Sequence, residues 1–229
     1  MNYFKRSKAF LCCLGFVFNA WALRATADDS LLFRLSVSNS DIICGNRMPI
    51  ETGKDIIVDR FSFYISHLKF YGQGTLIHEN TEPLLIHVCE NPQKVSIPVH
   101  CDSIAFTLGI DSVIQEKGPL KGNLDPIHGF YWTWQSGYIH LKFEGHLLND
   151  EKLKETQMPF TLHLGGYRGE NQCIIARGFS RKTGCNTLRF YLDTLLESEV
   201  FLNKPSVMSP GPQARKMAEI ITDAIKLEP

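Results

Sequence analysis

The side chains of this 229-residue chain with redox and ligand chemistry to offer are its tryptophans, tyrosines and histidines, and they are unevenly spread. The stretch Gly129-Phe130-Tyr131-Trp132-Thr133-Trp134-Gln135-Ser136-Gly137-Tyr138-Ile139 holds two of the three tryptophans, two positions apart and bounded by glycines. Residues two apart in an extended strand project from the same face, so the spacing predicts an indole pair on one side. Such a cluster is either an oxidisable site or a packed seam, because aromatic residues are also good strand formers and core filler. Eight histidines, His67, His78, His87, His100, His128, His140, His146 and His163, supply imidazole, the commonest ligand for copper and zinc. Alternation puts His163 on the face of Thr161, opposite Leu162 and Leu164, and puts His140 opposite Ile139 and Leu141. Both are thus expected to point away from their strands' apolar faces. A single strand histidine is more commonly a hydrogen-bonded or exposed residue than a ligand.

Other chemistry is sparse. The chain has no G-x-S-x-G elbow, H-E-x-x-H pair, P-loop or dinucleotide glycine pattern, and Asp111, Asp125 and Glu144 form no recognisable carboxylate pair. The expectation is a protein that is not an enzyme. The loop Lys121-Gly122-Asn123-Leu124-Asp125-Pro126 has oxygens that could face a hard cation, as many surface loops do.

The amino terminus reads as an address. Lys5, Arg6 and Lys8 precede an apolar run from Ala9 to about Leu23, and Ala25-Thr26-Ala27 offers small residues for cleavage after Ala27. The run is short for a spanning helix and leads into polar Asp28-Asp29-Ser30. A signal peptide over 1–27, a single domain over 28–229 and a periplasmic or secreted location without a membrane span are therefore expected. The chain has 24 basic and 24 acidic residues; loss of the leader leaves 20 against 24. No basic stripe is present, which argues against nucleic acid. Five cysteines lie beyond the leader: Cys44, Cys89, Cys101, Cys173 and Cys185. Spacings of twelve make Cys89 with Cys101, and Cys173 with Cys185, candidate local disulfides, although Cys44 could displace any partner.

The elements that must position these groups are strands. Period-two patterns occupy Leu31 to Val37, Ile56 to Tyr71, Leu84 to Val88, Val95 to Val99, Ser103 to Ile110, Tyr138 to Glu144, Phe160 to Leu164, Cys173 to Ala176 and Thr187 to Tyr191. In the long second run, Phe61, Phe63 and Ile65 fall on one face and Tyr64, Leu68 and Phe70 on the other. With no interleaved helices, the class is all-β, an antiparallel β-sandwich. After Ser209-Pro210-Gly211-Pro212 the period changes: Ala214, Met217, Ala218, Ile221 and Ile225 predict a short C-terminal helix docked by its apolar stripe.

Several segments taken together resemble the MbnP family of periplasmic proteins. They are Arg60-Phe61-Ser62-Phe63-Tyr64-Ile65-Ser66-His67-Leu68-Lys69-Phe70, Phe106-Thr107-Leu108-Gly109-Ile110-Asp111-Ser112, and Leu124-Asp125-Pro126 leading into the W-x-W-x-x-G-Y stretch. Phe160-Thr161-Leu162-His163-Leu164-Gly165-Gly166 and Val207-Met208-Ser209-Pro210-Gly211-Pro212 follow in the family's order. The resemblance implies a secreted copper-binding β-sandwich. It also implies a partner dihaem protein of the MauG/MbnH type that oxidises a tryptophan to kynurenine. By position it names His163 as a copper ligand, with Trp132 or Trp134 as the modified residue. Where the family tends to carry a second histidine this chain has Ser66. The adjacent His67 would reach that face only through a bulge, since a one-residue shift reverses a strand's faces; otherwise this member lacks one ligand. The alternative is a metal-free secreted binding module whose aromatic cluster contacts a glycan or a protein.

Overall fold

The computed structural model describes residues 29–90, 94–151 and 154–229. The leader expected over 1–27 lies outside the described residues. Among those described, the first eight strands are β1 (Ser30–Val37), β2 (Ser40–Asp41), β3 (Arg47–Pro49), β4 (Asp55–Gly72), β5 (Thr75–Asn80), β6 (Leu84–His87), β7 (Val95–Ser96) and β8 (Ser103–Leu108). A short helix α1 (Ser112–Gln115) leads to β9 (Tyr131–Thr133), β10 (Gly137–Glu151), β11 (Lys154–Gly165), β12 (Ile175–Ser180) and β13 (Thr187–Tyr191). Helices α2 (Asp193–Leu196) and α3 (Glu199–Asn203), strand β14 (Ser206–Val207), helix α4 (Pro212–Asp223) and strand β15 (Ile225–Glu228) complete the chain.

Two sheets form the sandwich. The smaller runs β15-β13-β1-β2, with β7 also on β1. The larger runs β12-β8-β4-β10-β11-β14, with β3, β5 and β6 on β4 and β9 on β10. Pairing is antiparallel except for β1 with β13 and β11 with β14. Both exceptions join strands far apart in sequence, where no hairpin dictates direction. Aromatic rings hold the layers together. Phe33 and Phe190 of the small sheet meet Phe63 and Phe61 of the large one, with centroids 4.9 to 5.7 Å apart and mostly edge-on. Edge-on contact is what the ring quadrupole favours.

Strand β4 departs from simple alternation. Phe61, Phe63 and Ile65 enter the core as expected, but so do Leu68 and Phe70. The phase changes at a bulge: register with β8 slips between Ser66 and Lys69, and His67 has φ +51°. One inserted residue resets the faces, so the two apolar sets predicted for opposite sides share one. Tyr64 alone of that second set lies outside, in a smaller aromatic cluster.

The C-terminal helix is as expected. Ala214, Met217, Ala218 and Ile221 of α4 are buried in the main core, while Ile225 has passed into β15. The loop considered for a hard cation has its oxygens engaged: the Asn123 and Leu124 carbonyls accept from the hydroxyls of Tyr64 and Tyr138, and Asp125 Oδ1 accepts from the Ile127 amide. The cysteine pairing differs from both candidates. Cys44 is bonded to Cys89, and Cys101, Cys173 and Cys185 are thiols. Sequence spacing is blind to this bridge because it joins residues brought together by the large sheet. No helix among the described residues is long and apolar enough to cross a membrane.

Candidate functional site

Because Phe61, Phe63, Leu141, Phe143, Leu162 and Leu164 face the core, their neighbours face outward. Register then sets those neighbours in rows. Ser62, Lys142 and His163 lie side by side across β4, β10 and β11, and Arg60, Glu144 and Thr161 form the next row. On the other flank of β4, His87 of β6 is paired with Ser62, and its Nδ1 is 2.9 Å from the Ser62 hydroxyl. The outer surface of the large sheet thus carries two imidazoles, a lysine, an arginine and a glutamate within four strands.

His163 is 9% exposed, and its Nε2 lies 2.6 Å from Glu144 Oε1. A carboxylate only accepts, so Nε2 carries the proton and Nδ1 keeps its lone pair. Nδ1 has no hydrogen-bond partner among the described residues. Burial lowers the His163 pKa, opposed by the Glu144 hydrogen bond, so the ring stays neutral. Lys142 is 7% exposed, and its ammonium lies 4.9 Å from the centre of the Phe130 ring. Burial lowers its pKa too, opposed by the Glu144 carboxylate. His87, 6.2 Å from Phe130 between ring centres, is shifted down in the same way by burial. Arg60 reaches Glu144 at 3.5 Å.

Aromatic residues roof this surface. Tyr64, Phe130, Tyr138 and Ile139 form a second cluster against which Tyr131 and Trp132 pack. The β9–β10 hairpin lays Trp132 over Gly165: a Cβ built there would meet Trp132 Cζ3 at 2.8 Å. Gly165 is two residues beyond His163 on the same face of β11, about 7 Å along the strand. The hairpin base is fixed by Gln115. Its Oε1 accepts from the Tyr138 amide at 2.8 Å, and its Nε2 lies 2.6 Å from Nε2 of His140.

The candidates read from sequence are therefore separated. Trp132 lies over Gly165, two residues along the same face of β11 from His163. Trp134 is 72% exposed in the turn after β9, because the strand ends at Thr133 and alternation no longer holds. The indole pair does not share a face. The bulge that would redirect His67 exists, yet it delivers the ring to Asp111 and Glu79, at 3.2 and 3.4 Å. Five residues along β4 and two strands across put His67 roughly 20 Å from His163 by strand rise and spacing. They cannot share an ion. Ser66 is buried and donates to the Gly109 carbonyl at 2.8 Å. His140, expected to point away from the apolar face, is completely buried at a second bulge between Ile139 and Leu141, its Nδ1 3.2 Å from the Cys173 carbonyl. Among the described residues, no three His, Cys, Asp or Glu side chains converge as a metal site. Sequence reading named His87 only as one of the eight histidines and missed Lys142 and Arg60. The polar positions interleaved with Phe61, Phe63, Leu141 and Phe143 were their only signal.

Residues 26–206 match the family model of MbnP. The fold is similar to that of MbnP from Methylosinus trichosporium, with a TM-score of 0.53 at 13% identity, covering 74% of this chain and 77% of that one. At that identity the likeness is one of fold. No curated protein matches the sequence.

Proposed function

This chain belongs to the MbnP family, and from that premise we propose that it is a periplasmic copper-binding protein and itself the substrate, not the catalyst, of an oxidation. In this reading a dihaem partner of the MauG/MbnH type, with peroxide as the oxidant, cleaves the C2–C3 bond of the Trp132 indole to N-formylkynurenine, hydrolysis releases C2 as formate, and the kynurenine amine and Nδ1 of His163 would then hold copper. One observation supports it: Trp132 lies over Gly165, two residues along the same strand face from an imidazole whose Nε2 is tied to Glu144 and whose Nδ1 has no partner among the described residues. A carboxylate on the far nitrogen is the usual way in which proteins orient a metal-binding histidine and raise its basicity. Indole is not a ligand, whereas an aniline nitrogen is, so the oxidation would supply the second donor. Few nitrogen donors at a low coordination number would suit Cu(I).

The test is copper stoichiometry in protein exported by its native host. Wild type should carry copper and kynurenine at position 132. Trp132→Phe and His163→Ala should fold and lose the metal, and Trp134→Phe should keep it. Copper retained by Trp132→Phe would end the reading. A second reading has its own support. Exposed Trp134 adjoins a cleft of about 420 Å³ lined by Gln135, Ser136, Tyr167, Arg168, Asn171 and Pro210. A metal-free module contacting a glycan or a protein would use that surface. Retardation on polysaccharide abolished by Trp134→Ala, in a protein without copper, is its signature.

A further inference from the structure

Three cysteines remain thiols, and their surroundings differ. Cys173 is completely buried, its Sγ donating to the Gly165 carbonyl at 3.1 Å, and burial pushes its pKa up to about 12. Such a group supplies almost no thiolate at neutral pH. Cys101 and Cys185 lie elsewhere, and the backbone draws them together. Register pairs Ser103 of β8 with Ser180 of β12, and the Arg181 amide donates to the Asp102 carbonyl. Pairing thus continues past the strand end and sets Cys101 opposite Lys182. A turn then returns the chain, with the Cys185 amide donating to the Lys182 carbonyl at 3.0 Å. Opposed residues are about 5 Å apart and turn ends less than about 7 Å, so the two Cα atoms lie within roughly 12 Å. Arg181 spans the same juxtaposition. Its Nε donates to the Cys185 carbonyl at 2.9 Å and its Nη1 to the Cys101 carbonyl at 3.1 Å, while Nη2 pairs with Asp29.

We infer that Cys101 and Cys185 are joined as a second disulfide when the chain is in an oxidising compartment. The closing movement falls where the chain can move. Residues 182–184 are exposed, and Gly184, at φ +86°, has open space around it. Cys185 is half-exposed, whereas Cys101 is buried, so Cys185 is the entry point. Its thiolate attacks the disulfide of a dithiol oxidant or of oxidised glutathione, and one oxidant thiolate leaves. The Cys101 thiolate then attacks Cys185 Sγ in the mixed disulfide and expels the second. Two protein thiols lose two protons and two electrons, and the oxidant disulfide is reduced to two thiols.

A peptide map of the exported protein, alkylated without reduction, tests this. Trypsin cuts after Lys94, Lys117, Lys182 and Arg189, releasing Cys101 and Cys185 on separate peptides. The expected result is one linked species containing both, lost on reduction, with Cys173 alkylated. Cys101 and Cys185 both alkylated after incubation with oxidised glutathione, or Cys173 linked to either, overturns the inference. Cys185→Ser, at a surface turn, should lower the Tm of the oxidised protein by several degrees and leave that of the reduced protein unchanged. Equal Tm values in the oxidised state would also overturn it.

Discussion

His140 has the most severe surroundings of any imidazole described. It is enclosed completely, with Gln115 on one nitrogen and the Cys173 carbonyl on the other. Burial pulls its pKa from 6.5 to about 4. Below pH 6.5 the unfolded chain takes up a proton that the folded chain refuses until about pH 4. Folding stability is therefore complete above pH 6.5 and declines as pH falls towards 4, by about 3 kcal/mol in all. His87 and His163 are shifted in the same direction and add to the same window. Urea midpoints measured from pH 7 to 4.5 should fall steeply for wild type and less for His140→Gln; parallel curves would contradict the assignment. This residue also marks a limit of sequence reading. Alternation placed it away from the core, and the bulge beside it leaves no mark in residue types. His163 was legible because Leu162 and Leu164 flank it in an unbroken strand. Lys142 and Arg60 were not, because a charged side chain on an outer strand face looks like ordinary surface until a roof is known.

At the level of elements, the hairpin of β9 and β10 lying across β11 makes the site. Gly165 permits that approach. A Cβ there would meet the Tyr138 carbonyl at 2.6 Å and Trp132 Cζ3 at 2.8 Å. Gly165→Ala should cost about 1–3 kcal/mol by overpacking and push the indole off the sheet. Chemical denaturation and the near-ultraviolet circular dichroism of the folded protein would register both effects. Unchanged stability and spectrum would place Trp132 elsewhere. The long strands and α4 could be read from sequence because each repeats its period several times. Strands β5 and β15 and helices α1, α2 and α3 could not. Each helix has only four or five residues, too few for a period. Trp132 and Trp134 were read as one pair because nothing in the sequence says that β9 stops between them.

For the whole molecule, two sheets closed over interlocking phenylalanines form the scaffold, and the Cys44–Cys89 bond ties the β2–β3 loop to the end of β6 across 45 residues. Closing a loop of that length constrains the unfolded chain by about 4 kcal/mol. Replacing both cysteines by serine should therefore cost about 2–4 kcal/mol in denaturant titrations under oxidising conditions. A change under about 0.5 kcal/mol would mean that the bridge does not form in the folded protein. The sandwich could be argued from strand count and turn spacing, but the joining of Cys44 to Cys89 depends on tertiary proximity alone. The copper reading asks the same scaffold to bring one indole, and not the other, beside one imidazole. Native top-down mass spectrometry of the exported protein reads metal and modification on a single molecule. The expected species is copper-loaded, with kynurenine at position 132 and tryptophan at position 134. A copper-loaded species with Trp132 intact, or with the oxidation at Trp134, would contradict the copper reading.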